Sequence, residues 1–365
     1  MRRSSCGGGR AELASCLLSP RVALAHSYTY EAFLAEHGGT GSAHSRETFE
    51  TNLANIHAHN AKGLSWTDGV NQFTDMTPEE FAAFKGKYFR GIDTTTAKMT
   101  FDTDLKDLPK EIDWRTKGAV TPTKNQGGCG SCWAFSATES VESAVFRATG
   151  HLPILAPQEF VDCIPNPNSC GGTGGCSGST EEYGFAWAMI YGMALDSAYN
   201  YTAATGKECL LGKDGRDAVA GISNFVKLPG NDYASLMTAV GTIGPVSISV
   251  DASWGAYEKG VYAGCSNKTT TIDHAVQAVG YGTEGGADYW LVRNSWGATW
   301  GEGGYIKLPR ADPTVDPSIC GEDMNPDSGN GCKGGPKEQK VCGACGMLSD
   351  SSYPTGGYMR APDAK

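Results

Sequence analysis

The sequence has no apolar run approaching the ~20 residues that a membrane-spanning helix requires, so no segment of it reads as a membrane span. Positive charge is also in deficit. Thirty Lys and Arg stand against 40 Asp and Glu, a formal net charge of −10. That balance argues against nucleic acid or an anionic membrane as partner, because both need a basic surface. No internal repeat is visible, which sets aside solenoid and propeller architectures. What remains is a chain of 365 residues with 40% hydrophobic content, long enough for two or three domains and ample for a globular core.

The most informative stretch is Gln126-Gly127-Gly128-Cys129-Gly130-Ser131-Cys132-Trp133. It places Cys132 where a turn-rich loop gives way to helical apolar spacing at Trp133, Ala137, Val141, Ala144, Val145 and Ala148, with Gly150 as a stop. A thiol in the first turn of a helix meets unpaired backbone N–H groups and the positive end of the helix dipole. Both favour the nucleophilic thiolate. Downstream, His274 opens an alternating strand-like run to Val279, and Tyr289–Arg293 delivers Asn294-Ser295-Trp296-Gly297. A lone buried cysteine is more often a structural hydrophobe. Cys129 and Cys132 also have the CxxC spacing of a redox motif, but no βαβ pattern surrounds them.

A cysteine, a histidine about 140 residues on and an asparagine about 160 residues on resemble papain-type proteases of the cathepsin L-like group. The resemblance implies Cys132 as nucleophile, His274 as its proton partner and Asn294 as the group that orients the imidazole. It implies Gln126 as an oxyanion donor beside the Cys132 N–H, and Trp296 as a cover over the His–Asn contact. Helices first and strands later indicate an α+β fold. The resemblance makes it a papain-like two-lobe fold, with a helical lobe carrying Cys132 and a β-barrel lobe carrying His274 and Asn294. Substrate would lie between the lobes as an extended peptide along Gly178 and Ser179. Thr180, Ala275 and Asp350 would line the pocket for the second residue before the cut. A carboxylate at Asp350 should admit Arg or Lys there; otherwise Asp350 faces solvent in a loop.

Residues 26–106 carry a second pattern. Arg46, Phe49, Asn52, Ile56 and Asn60 share one side of a helix, and Gly69-Val70-Asn71-Gln72-Phe73-Thr74-Asp75 follows before an expected helix at 77–85. Both resemble cathepsin L-like propeptides, although Ser42 stands where a leading Glu is usual, which puts one propeptide salt bridge in doubt. This implies an inhibitory prodomain whose tail, about 88–106, lies along the cleft. The peptidase domain would be 107–365, starting near Asp107–Pro109 after acid processing. Residues 1–25 form a candidate leader, with Arg2, Arg3 and Arg10 before Ala23-Leu24-Ala25.

Of 13 cysteines, Cys6 and Cys16 fall in that leader and Cys132 stays free, which leaves ten for five disulfides in an oxidising compartment. The resemblance pairs Cys129 with Cys176, Cys163 with Cys209 and Cys265 with Cys345. Cys170, Cys320, Cys332 and Cys342 stay open, with Cys332–Cys342 the first expectation and a zinc site at Cys320, Cys332, Cys342 and Cys345 the rival. Two glycosylation acceptors, at Asn200 and Asn267, also fit a secretory route. The expected protein is a cofactor-free, monomeric endopeptidase zymogen acting on polypeptides, inhibited by its own propeptide, and lysosomal, vacuolar or extracellular. A silent binding protein and an acyl-transferring ligase are the alternatives. Against the first, every catalytic position is intact.

Overall fold

A computed structural model describes residues 28–37, 43–62, 70, 74, 75, 77, 101, 104–255, 257–266, 268 and 270–360. The chain divides between Tyr88 and Phe89 into two compact units. The candidate leader, residues 78–85 of the expected helix and, apart from 101 and 104–106, the tail expected at about 88–106 lie outside the described residues.

In the first unit, helices α1 (Tyr30–His37) and α2 (Ala43–Asn60) enclose Tyr30, Phe33 and Phe49. The Phe33 and Phe49 rings lie 5.0 Å apart. The polar members of the α2 stripe have separate tasks. Arg46 pairs with Glu31 at 2.5 Å and sits 4.8 Å over the Tyr30 ring. Asn52 donates to the Thr74 carbonyl at 3.0 Å, which ties the helix to the Gly69–Asp75 motif. Arg46 therefore finds a carboxylate on α1; Ser42 lies outside the described residues.

The second unit holds four α-helices among its described residues: α3 (Cys132–Thr149), α4 (Pro157–Cys163), α5 (Glu181–Ile190) and α6 (Tyr233–Thr238). Its strands are β1 (Ile112–Asp113), β2 (Ala220–Gly221), β3 (Asn224–Lys227), β4 (Val246–Val250), β5 (His274–Glu284) and β6 (Ala287–Arg293). They continue as β7 (Tyr305–Pro309), β8 (Cys320–Asp323), β9 (Gln339–Cys342), β10 (Ser351–Thr355) and β11 (Tyr358–Met359). The main sheet is antiparallel in the order β3-β10-β4-β5-β6-β7, with β1 paired to β5. Strands β2 and β11 form one small sheet, and β8 and β9 another. This is the α+β arrangement the sequence predicts.

Two apolar cores define two lobes. Trp133, Ala137, Val141 and Val145 of α3 join Phe160 and Phe185 in the helical core, while Val246, Ile248, Val276 and Val292 join Trp290 in the sheet core. The apolar stripe of α3 ends at Val145, since Ala148 is exposed. The opposite face of α3 is buried as well, because the lobes meet there through polar groups. Ser136 donates to the Val276 carbonyl at 2.8 Å, Ser140 meets Ser247 at 2.8 Å, and Gln277 donates to Ser140 at 3.2 Å. For the same reason β5 is buried from His274 to Gly282 rather than at alternate positions: one face packs on the sheet core and the other on α3.

All ten cysteines beyond Cys132 among the described residues of the second unit are bonded. Cys129–Cys176, Cys163–Cys209 and Cys265–Cys345 form as expected. The expected Cys332–Cys342 pair does not form. The β8–β9 hairpin sets Cys320 opposite Cys342, and those two are bonded. Cys332, farther out on the same insertion, reaches across to Cys170 in the helical lobe. With Cys345 bonded to Cys265, no thiolates remain for the rival zinc site. Asn200 is exposed, as a glycosylation acceptor must be; Asn267 lies outside the described residues. No helix among the described residues is long and apolar enough to cross a membrane.

Candidate active site

Cys132 opens α3 and is the free cysteine among the described residues, half-buried. Ser131 precedes it without capping the helix through its side chain, because its hydroxyl is engaged by Tyr201 at 2.6 Å. The Ala134 N–H is taken by the Ser131 carbonyl at 2.8 Å, and the Trp133 N–H is the first-turn donor that serves the Cys132 sulfur. Gly150 ends the helix in the left-handed region at φ 78°, the conformation glycine adopts without strain.

The sheet supplies the other two groups. His274 begins β5 and Asn294 directly follows β6, and the pairing Gln277↔Arg293 brings the two strand ends together. Asn294 Oδ1 lies 2.8 Å from His274 Nε2 and also accepts from the Ser295 N–H at 2.8 Å. The second bond fixes the amide with its oxygen toward both donors. Nε2 must then carry a proton, which leaves Nδ1 for the cysteine side. The Trp296 ring lies 5.1 Å from the imidazole and tilted 31° to it, and it shields the contact.

Electrostatics couple the pair. Burial pushes the Cys132 thiol up, but the charge and hydrogen bond of His274, with backbone bonds at Ala275 and Trp133, bring it below its ordinary value. Burial likewise pulls His274 down, and Cys132 and Asn294 more than reverse this, so its pKa stands raised. Opposite shifts in two touching groups favour a thiolate–imidazolium pair.

Gln126 is held at the same end of α3. Its N–H bonds to the Ser295 carbonyl at 2.8 Å, its Oε1 accepts from the Ser295 hydroxyl at 2.5 Å, and its Nε2 donates to the Cys129 carbonyl at 2.9 Å. A cleft of about 340 Å³ opens beside Cys132 and His274, lined also by Gly178, Ser179, Thr180 and Ala275. Gly178 is required on steric grounds: at φ +89° a Cβ there would lie 2.1 Å from the Gly171 carbonyl oxygen. Asp350 is neither on the cleft wall nor in solvent. It is buried behind the wall, bound by Lys227 at 2.6 Å, Ser249 at 3.0 Å and Asn330 at 3.0 Å. Burial raises its pKa, and the Lys227 charge overcomes this and holds it low. Glu181, Ser249 and Asn330 do line the cleft, and sequence reasoning missed all three.

Residues 108–329 match the family profile described as papain family cysteine protease. The chain belongs to the papain family of cysteine proteases. Residues 33–81 match the cathepsin propeptide inhibitor domain. Among similar proteins, the papain-family chain is 40% identical to the oryzain beta chain of Oryza sativa subsp. japonica over 307 residues, covering 80% of this chain and 64% of that protein. It is 37% identical to a cathepsin L-like proteinase of Fasciola hepatica, covering 75% of this chain and 84% of the other. The solved digestive procathepsin L 3 of the Tenebrio molitor larval midgut superposes with a TM-score of 0.56 at 30% identity, over 89% of this chain and 97% of that one.

Proposed function

We propose that this papain-family chain is the zymogen of a cysteine endopeptidase, on the strength of one observation: a free cysteine opening a helix against a histidine whose far nitrogen is held 2.8 Å from Asn294. Cys132 Sγ attacks the peptide carbonyl, and the His274 imidazolium passes its proton to the leaving amine. The thioester is then hydrolysed by a water that gives its proton to His274. The Cys132 N–H and the Gln126 amide stabilise the oxyanion of each tetrahedral intermediate. Backbone groups of Gly178 and Ser179 pair with the substrate main chain, Thr180 and Ala275 line the pocket for the second residue before the cut, and Asp350 acts from behind that pocket.

Residues 26–106 serve as intramolecular inhibitor, a role supported by the propeptide-domain match over 33–81. Processing falls near Asp107–Pro109. Asp104–Asp107 are exposed and Leu108 is buried, so the cut lies on the accessible side of that junction. The enzyme acts as a monomer on polypeptides in a lysosomal, vacuolar or extracellular setting. Acid-processed protein should hydrolyse a fluorogenic dipeptide amide, with activity lost in Cys132→Ser and after treatment with a thiol-directed epoxide. Undiminished hydrolysis by Cys132→Ser refutes the assignment.

A further inference from the structure

The cleft beside Cys132 is lined as well by Glu181 at the start of α5, Ser249 of β4 and Asn330 of the insertion. One oxygen from each of Glu181, Glu182 and Asp350 lies within 4.8 Å of the others. Lys227, at the end of β3, stands among them, 2.9 Å from Glu182 and 2.6 Å from Asp350. The three carboxylates are served unequally. Glu182 holds Lys227, and Asp350 holds Lys227 together with Asn330 and Ser249. Glu181 has its own backbone N–H and the Ser249 hydroxyl at 3.3 Å. That hydroxyl has one proton, and its contact with Asp350 is the shorter at 3.0 Å. Glu181 is therefore the carboxylate on the wall with no cation of its own among the described residues. The hydroxyl of Ser179, on the same wall, is buried without a partner.

We propose that Glu181, rather than Asp350, makes the pocket select an arginine or lysine side chain at the second residue before the cut. This rests on the proteolytic reading above. An entering cation adds a second positive charge to three carboxylates and one ammonium, and it brings N–H donors to the oxygen that lacks them. A leucine side chain leaves that oxygen desolvated and is accepted best when Glu181 is protonated. The charged groups facing Glu181 are Glu182 on α5, Lys227 on β3 and Asp350 before β10, with Asp273, His274 and Cys132 on the cleft walls. Burial first, and then the charges of Glu182 and Asp350, raise the pKa of Glu181, so the preference for a cation grows as pH rises.

The test compares two fluorogenic dipeptide amides, identical at the cut residue and differing as Arg or Leu before it. The ratio of their kcat/KM values cancels the ionisation of Cys132 and His274. In the wild type this ratio should climb as pH rises above the ordinary carboxylate range and Glu181 ionises. In Glu181→Gln it should fall about tenfold or more and lose its pH slope. Active-site titration of Cys132 counts folded enzyme, and if Glu181→Gln does not fold, the wild-type slope decides alone. A flat wild-type ratio overturns the proposal, as does a ratio lost in Asp350→Asn but kept in Glu181→Gln. Hydrolysis of neither substrate refutes the proteolytic reading instead, which separates the two failures.

Discussion

Replacing Lys227 with methionine keeps most of the side-chain volume and removes the cation that, among the described residues, stands between Glu182 and Asp350. The side chains of Glu182 and Asp350 are 9% and 7% exposed, and that of Lys227 is 27% exposed. Breaking a buried ion pair by deleting one partner costs about 3–5 kcal/mol. The partial solvent contact of the ammonium places this case near the lower figure. For a unit of this size, about 3 kcal/mol corresponds to a fall in Tm of roughly 6–12 °C. The pH dependence follows from the shifts. Lys227 holds the folded Asp350 pKa below its ordinary value, so the stability it confers is present above the unfolded carboxylate pKa and is lost as pH falls through the lower, folded value. In Lys227→Met Asp350 stays buried without its counter-charge, and its folded pKa rises above the unfolded one. The variant is then penalised at neutral pH and relieved on acidification as Asp350 protonates. Thermal unfolding followed by tryptophan fluorescence should show a gap between the two proteins that is widest near neutrality and narrows toward about pH 4. A gap of constant size across that range refutes the assignment of Lys227 as counter-ion.

Alkylation of Cys132 by iodoacetamide should stay fast at pH values below the ordinary thiol range, and His274→Ala should move its profile back up; an unmoved profile would show that the imidazole is not what lowers the thiol pKa. Asn294→Ala should lower kcat about 10- to 150-fold by releasing the imidazole, and a kcat within twofold of wild type removes Asn294 from the mechanism. The double variant Cys170→Ser/Cys332→Ser opens a bridge of sequence separation 162. It should lose about 2–4 kcal/mol in urea unfolding, because the other disulfides already shorten the loop that it closes. Unchanged stability would mean that the bridge is not formed.

Much of the site could be read from local signals. The position of Cys132 came from an apolar stripe meeting a turn, and the strands that carry His274 and Asn294 came from alternation and aromatic content. What was hidden depends on non-local packing. Glu181 and Glu182 follow Thr180 at a helix start, where acidic residues ordinarily satisfy the dipole in solvent; the facing strands bury them to 1% and 7% exposure. Lys227 is an ordinary strand-end lysine until β10 pairs beside it and brings Asp350 within reach. Cys332–Cys342 was the shorter closure within the insertion, and no pattern within 309–345 reveals that its outer part binds Cys170 at the far side of the groove.

The bridge between Cys170 and Cys332 has a mechanical consequence. The insertion is rooted in the sheet lobe by the Asn330 N–H on the Ile272 carbonyl, and it is laced to the helical lobe by the Gly171 N–H on the Gly331 carbonyl as well as by sulfur. The two halves are thus buckled together on the flank where Asn330 and Glu181 line the cleft. A spreading motion that widens the trough for a bulky chain must pivot about that buckle, so its range depends on the thiol–disulfide balance of the surroundings as well as on the substrate.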